Sequence, residues 1–251
     1  MVLQIERVSK SFPKKKAGDS VLVLQDVTFN LREGEMVALM GANGSGKSTL
    51  LRLIAGLDSC SGGRIIKTGD REGSVELMFQ DFRATLLSWF TAEHNALGLP
   101  VSTSDEQAMA RELLVSFMPS LNGTKYFSQM SGGEQQAIAL IRSLARKASF
   151  LLLDEPFTSL DLAVRKRAYA ACRRAVSQRR VQALLIATHN IEDAVTLADR
   201  VIILAGKPGR ISCEVELPQY ETRLQVGLFG GLIEQVRGRL NDALDAEKMA
   251  K

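Results

Sequence analysis

Gly41-Ala-Asn-Gly-Ser-Gly-Lys-Ser48 is the stretch that decides the fold. It fits the pattern G-x-x-x-x-G-K-[ST]. The apolar run MVALM (residues 36–40) precedes it, and residues 49–55, which read as a helix, follow it. Strand, glycine-rich loop and helix are the context in which this pattern holds phosphate. Phosphates need several donors at short range. Gly44 and Gly46 let the backbone curl so that its N–H groups face inward, and the helix N-terminus adds a positive dipole end. Lys47 supplies a point charge for the β and γ oxygens, and Ser48 a hydroxyl oxygen for Mg²⁺. Gly41, Ala42, Asn43, Ser45 and Thr49 complete the candidate phosphate-binding loop.

Outward from the loop, strand-like and helix-like segments alternate. Residues 2–12 and 21–31 are β-rich and flank the turn PKKKAGDS, which predicts an antiparallel hairpin. Residues 64–67, 75–79, 150–153 and 183–187 read as further strands. Residues 84–147 lack strand signals and carry helical ones. Ser104 with Gln107 predicts a capping box ahead of Met109, Leu113 and Phe117, and a second helix begins near Glu134 with Ile138, Ile141 and Ala145 on one stripe. A further helix carries Val164, Ala168, Cys172 and Val176 on one face. Residues 201–215 read as a closing hairpin around AGKPG, and an amphipathic helix with Phe229, Ile233, Val236, Leu240 and Leu244 follows. The pattern predicts an α/β core with a mainly parallel sheet, an added antiparallel β part and an inserted helical block.

Composition narrows the function classes. With 45% hydrophobic and 24% charged residues among 251, the chain has the make-up of a globular protein, not of a disordered or fibrous one. A net charge of +4 permits an anionic partner without demanding nucleic acid. The strongest basic cluster (Arg165, Lys166, Arg167, Arg173, Arg174, Arg179 and Arg180) shares its helix with an apolar stripe, so it reads as a solvated outer face. No apolar run approaches the about 18 residues of a membrane span. The start MVLQIERVSK puts acid and base where a signal peptide needs an apolar core. Three widely spaced cysteines and two histidines fit reduced thiols, not disulfides or zinc. A cytosolic chain is expected.

Three other motifs carry chemistry. Phe150-Leu-Leu-Leu-Asp154-Glu155 delivers two carboxylates to the end of a buried strand, where open α/β sheets bind ligands. Asp154 is placed to hold Mg²⁺ through water, and Glu155 to polarise an attacking water. Ser131-Gly132-Gly133-Glu134-Gln135 opens a helix. By itself it is either a second anion cradle or an ordinary helix cap, and one small domain has no evident need of two cradles. His189 ends a strand on the predicted ligand edge and is either structural or functional. His94, in the helical block, has no such setting and reads as structural.

Taken together these residues resemble the ATPase subunit of ABC transporters. GANGSGKST matches the Walker A loop, Gln80 the Q-loop glutamine, MSGGEQQ (residues 130–136) the signature motif, LLLDEP (151–156) Walker B with its catalytic glutamate, SLD (159–161) the D-loop, and His189 the switch histidine. Phe12 sits where the family places an aromatic that stacks on adenine. The resemblance spans residues 1–217. It implies ATP and Mg²⁺ as ligands, with Ser48, Gln80 and Asp154 around the metal and Lys47, Glu155 and His189 in catalysis. It also implies a head-to-tail pair, in which Ser131, Gly132, Gly133 and Glu134 of one copy complete the site of the other. Met130 replaces the usual Leu, Ala137 a common Arg and Phe12 the commoner Tyr. None of these removes a catalytic group.

FQDFRATLLSW (residues 79–89) and KPGRI (207–211) resemble the nitrate, taurine and sulfonate importer group, although Ser88 stands where Pro is usual. An importer ATPase for a small anionic solute is therefore expected, with an exporter, lipid-trafficking or soluble non-transport ATPase as the alternative. The implied partners are a second ATPase subunit, transmembrane permease subunits and, indirectly, a solute-binding protein, and the implied location is the cytoplasmic face of the membrane. Phe82, Leu86, Leu87, Trp89 and Phe90 are candidates for an exposed apolar docking groove, or some of them simply fill the core of the helical block. The expected division is an ATPase domain, 1–217, with its helical subdomain at about 84–147, and a helical extension, 218–251, too short for the regulatory β-domain of sugar-type importers.

Overall fold

Alternating apolar and polar residues form β1 (Leu3–Pro13), which pairs antiparallel with β2 (Ser20–Leu31). Most of the expected turn PKKKAGDS lies outside the described residues; the computed structural model describes residues 2–13, 20–68, 74–98, 102–121, 123–223 and 228–249. β3 (Met36–Met40) is buried along its length and leads through the glycine loop into α1 (Lys47–Ala55). Gly56, at φ +76°, ends α1 in the left-handed conformation, and the Gly56 and Leu57 amides return to the last helical carbonyls. β4 (Gly62–Lys67) pairs with β1 and completes a three-stranded antiparallel sheet, β2-β1-β4.

A second sheet begins with β5 (Val75–Met78). The helices α2 (Ala92–Leu97), α3 (Ser104–Phe117) and α4 (Gly132–Ala145) come next. They are followed by β6 (Ala148–Asp154), α5 (Leu162–Ser177), β7 (Val181–Thr188), α6 (Ile191–Leu197), β8 (Arg200–Ala205), β9 (Arg210–Glu216), α7 (Tyr220–Arg223) and α8 (Leu228–Met249). The strand order is β5-β6-β7-β3-β8-β9, parallel throughout except for the final β8–β9 pair. Side chains alternate across a strand, so the two faces have separate cores. Val37, Leu39, Leu152 and Leu185 pack with the three-stranded sheet and α1. Ala38, Met40, Leu151, Leu153 and Ile186 pack with the helices. This is the expected α/β architecture with an antiparallel β part and a helical block.

Two local expectations need correction, and one open alternative is decided. The capping box belongs to Thr103 and Glu106, not Ser104 and Gln107: the Glu106 amide donates to Thr103 Oγ1, and the Thr103 amide to Glu106 Oε2 at 2.8 Å. Adjacent Thr and Ser both make good caps, and the helix begins one residue earlier than the apolar spacing suggests. The basic residues of α5 and of the turn after it are not simply a solvated face. Arg167 donates to the Phe117 carbonyl at 2.9 Å, Arg180 to the Ala145 carbonyl at 2.7 Å, and Arg173 to the end of α6 while stacking on Tyr220. They tie α5 and the turn that follows it to the ends of neighbouring helices, where carbonyls lack intrahelical partners. The apolar segment after Gln80 splits: Phe82 and Leu86 are buried in the core, Leu87 and Phe90 are half-buried, and Trp89 is 69% exposed.

Arg200 joins the two sheets. Its guanidinium is 3.1 Å from Glu35 Oε1 and 2.6 Å from Glu214 Oε2, and it donates to the Asn30 carbonyl at 2.7 Å. Replacing it strands the buried Glu35 carboxylate. Arg200→Met is expected to lower unfolding free energy by about 3–5 kcal/mol, read from urea denaturation.

Candidate functional site

Parallel register sets the site. Met40 is opposite Thr188 in the β3–β7 pair, and Asp154 opposite Ala187 in the β6–β7 pair. The residues that leave these strands, Gly41, Glu155 and His189, therefore emerge together at one edge. In an open sheet of this kind, ligands bind at the carboxyl ends of the strands.

The loop after β3 closes tightly. A Cβ on Gly41 would lie 2.2 Å from the Leu204 carbonyl oxygen, and one on Gly46 would lie 2.5 Å from a methyl of Leu24. Gly46 also has φ +99°, so both space and backbone call for glycine. Lys47 is buried, and its ammonium donates to the Gly41 carbonyl at 2.8 Å and the Ala42 carbonyl at 3.2 Å. Burial lowers its pKa, against the opposing charges of Glu155 and Asp154.

Burial raises the Asp154 pKa from its ordinary value, and a hydrogen bond from Ser48 only partly offsets this. Among the described residues Asp154 Oδ1 has no partner, nor do Ser45 Oγ and Glu155 Oε2. Orphaned buried oxygens beside a donor-lined loop are costly unless a ligand satisfies them. Hard oxygen ligands at Ser48 and Asp154, with Gln80 lining the same cavity, suit Mg²⁺. Among the described residues no cluster of three His, Cys, Asp or Glu could hold a metal by itself. The set therefore fits a cation whose remaining ligands come from phosphate and water.

Glu155 has φ +50°, a left-handed conformation uncommon for a non-glycine residue. Its amide continues the β6–β7 ladder to the Ala187 carbonyl, and its Oε1 lies 2.8 Å from His189 Nδ1. A hydrogen bond to the carboxylate requires the proton on Nδ1. Beyond His189, a buried Asp193 accepts from Tyr169 and lies 3.5 Å from Thr188 Oγ1, bracing the turn that carries the histidine. Burial and the bond to Asp193 push the Tyr169 hydroxyl far above its ordinary range.

A cavity of about 390 Å³ is lined by Val23, Asn43, Gly44, Gly46, Lys47, Ser48, Thr49, Gln80, Asp154 and Glu155. Phe12 is not among these residues; it is half-buried near the end of β1 under the Lys10 ammonium, 4.7 Å from its ring centre. Ser131, Gly133 and Glu134 line a different cavity, about 880 Å³, with Ser159 and Asp161. There Ser131 caps α4 through a reciprocal bond with Glu134, which Lys125 holds at 2.9 Å. So Ser131 is a helix cap, and by helix geometry the Gly132 and Gly133 amides still point outward. The two cradles stand apart within one chain.

Two features escaped the sequence reading. The turn of KPGRI seats on the glycine loop: the Gly209 amide donates to Val23, and a Cβ there would lie 2.0 Å from the Ser45 carbonyl oxygen. The Gln136 side chain reaches the backbone of Glu155. The repeated Gln in MSGGEQQ was the available signal for the second, but its partner is distant in sequence.

Residues 24–158 match the family model described as ABC transporter. An aliphatic sulfonates import ATP-binding protein of Burkholderia pseudomallei is 34% identical over 250 residues, 99% of this chain and 73% of that protein. The protein of that name from Bacillus cereus is also 34% identical, over 93% of this chain and 99% of its own length. A sulfate/thiosulfate import ATP-binding protein of Thermosynechococcus vestitus is 36% identical over 96% of this chain and 72% of its own. Among solved structures, a dimeric ATP-binding cassette in a post-hydrolysis state with ADP and Pi superposes with a TM-score of 0.71 at 28% identity, covering 86% of this chain and 99% of that one.

Burial makes the folded protein hold the Asp154 proton more tightly than the unfolded chain does. The stability linked to this group is thus present at low pH and lost as pH rises through its folded pKa. Asp154→Asn is expected to raise the melting temperature of the nucleotide-free protein at neutral pH. The gain should shrink as pH falls through the folded pKa of Asp154, as calorimetry across pH would show.

Proposed function

The chain belongs to the ABC transporter family and is an ATP-binding ATPase of it, and from that premise we propose that it is the energy-coupling subunit of an importer for a small anionic solute of the sulfonate type. The observation that carries this reading is the meeting of the phosphate loop, Asp154 and the Glu155–His189 pair at one sheet edge, while the Ser131–Gly133 cradle lies elsewhere. The import reading rests on the names of the relatives, which couple ATP binding to uptake of sulfonates and sulfate.

Each side chain then has a task. Backbone amides of residues 41–46 and the α1 N-terminus hold the phosphates. Lys47 exchanges its two loop carbonyls for β and γ oxygens. Ser48, Asp154 and Gln80 hold Mg²⁺, which when bound neutralises phosphate charge. Glu155 accepts a hydrogen bond from the attacking water and orients it, and His189 holds Glu155 and contacts the γ-phosphate. Phe12 stacks on adenine, for which only the ring is needed. Catalysis here is positioning and charge stabilisation.

In a head-to-tail homodimer Ser131 and the free amides of Gly132 and Gly133, with Glu134 fixing the cap, face the phosphate held at Lys47 of the other copy. Dimeric structural neighbours support that assembly. No helix among the described residues is long and apolar enough to cross a membrane. Passage is assigned to permease subunits, with this chain peripheral at the cytoplasmic face and a solute-binding protein acting through them. We assign residues 1–217 to the ATPase domain, with the helical subdomain at about 84–147, and 218–251 to the extension.

Glu155→Gln should bind ATP within about threefold of the parent while turnover falls about 100-fold or more. Phosphate release and nucleotide-binding assays check this. Undiminished turnover would remove Glu155 from the reaction.

A further inference from the structure

Gln136 sits five residues into α4 and is 1% exposed. Its Nε2 donates to the Glu155 carbonyl at 2.9 Å and to Thr158 Oγ1 at 3.1 Å. Its Oε1 accepts from the Ser159 amide at 2.6 Å. A backbone N–H can only donate, so the atom facing Ser159 must be the oxygen, and the amide orientation is fixed by chemistry. Neither Glu, which lacks the donors, nor Lys, which lacks the acceptor, could make the same set.

These bonds have consequences at both ends. On one side they pin the carbonyl of Glu155, a residue in the left-handed region whose amide is held by β7. On the other, Gly133 of the cradle is pressed on the same Ser159: a Cβ there would lie 2.7 Å from the Ser159 carbonyl oxygen. Cradle, Gln136 and the Glu155–Ser159 turn are thus one packed unit.

We propose that Gln136 is a positioning residue that fixes each copy's catalytic carboxylate relative to its own anion cradle, so that a cradle closing on the partner's nucleotide sets the Glu155 of the other site. The proposal rests on the head-to-tail reading above. It predicts an effect on turnover without an effect on nucleotide capture, because Gln136 lies outside the phosphate loop.

The test uses the full chain with Mg-ATP and three variants: Gln136→Met, which keeps the shape and loses the hydrogen bonds; Gln136→Asn, which keeps the amide but is too short; and Gln136→Glu. For Met and Asn the expected result is a kcat lower by about 10- to 100-fold, with the KM for ATP and the ATP-induced dimer seen by light scattering within about threefold of the parent. For Glu, a protonated carboxyl regains one donor and one acceptor, so its kcat relative to the parent should climb as pH falls from about 8 to 6. The proposal is overturned if kcat is unchanged in Met and Asn, if its loss tracks falling melting temperature or ATP affinity in both, or if the Glu ratio is flat with pH. An inactive parent would instead overturn the ATPase reading itself.

Discussion

Three charged side chains, Lys47, Asp154 and Glu155, are held at 7, 5 and 6% exposure at the carboxyl edge of one sheet. Removing charge from water costs several kcal/mol per ion even after relaxation. The fold tolerates this because the charges are of opposite sign and because buried strands leave them no other place. Four consecutive apolar residues of β6 lock Asp154 in register, and β7 takes the amide of Glu155. At this edge Asp154 Oδ1, Glu155 Oε2 and Ser45 Oγ lack partners among the described residues, and a nucleotide with its cation and water would satisfy them. Stability given up at the edge is therefore the source of affinity there, a common arrangement at functional sites.

The helical layer orients this edge by hydrogen bonds to backbone rather than by apolar packing alone. Gln136 holds the Glu155 turn, Arg142 donates to the Thr85 carbonyl and hydroxyl, each at 2.7 Å, and Arg167 of α5 and Arg180 just beyond it cap the ends of neighbouring helices. α4 thereby contacts the segment after Gln80 at one end and the catalytic turn at the other. A rigid helix with fixed bonds at both ends can carry a displacement between them.

Much of this was legible in one dimension. The phosphate loop, the carboxylate pair and the strand–helix alternation are patterns of residues close in sequence, and local backbone chemistry fixes what they become. The readings that the structure changed or decided share a different cause. Thr103 and Ser104 compete for one cap, and only the helix's docked position selects between them. Phe82, Leu86 and Trp89 are all apolar, and which of them faces the core depends on how the short turn after Gln80 is seated. The α5 arginines looked solvated because their carbonyl partners belong to other elements.

The sequence by itself determined the loop that grips phosphate, the acids that follow a buried strand, and the family those motifs define. Their distances along the chain are set by covalent geometry and periodicity. Only the tertiary structure decided that Glu155 meets His189, that Gln136 holds the Glu155 backbone, and that the Ser131–Gly133 cradle stands away from the phosphate loop. The reason is that parallel pairing joins strands through long crossovers. Neighbours at the sheet edge are then chosen by register and helix packing, which spacing along the chain does not encode.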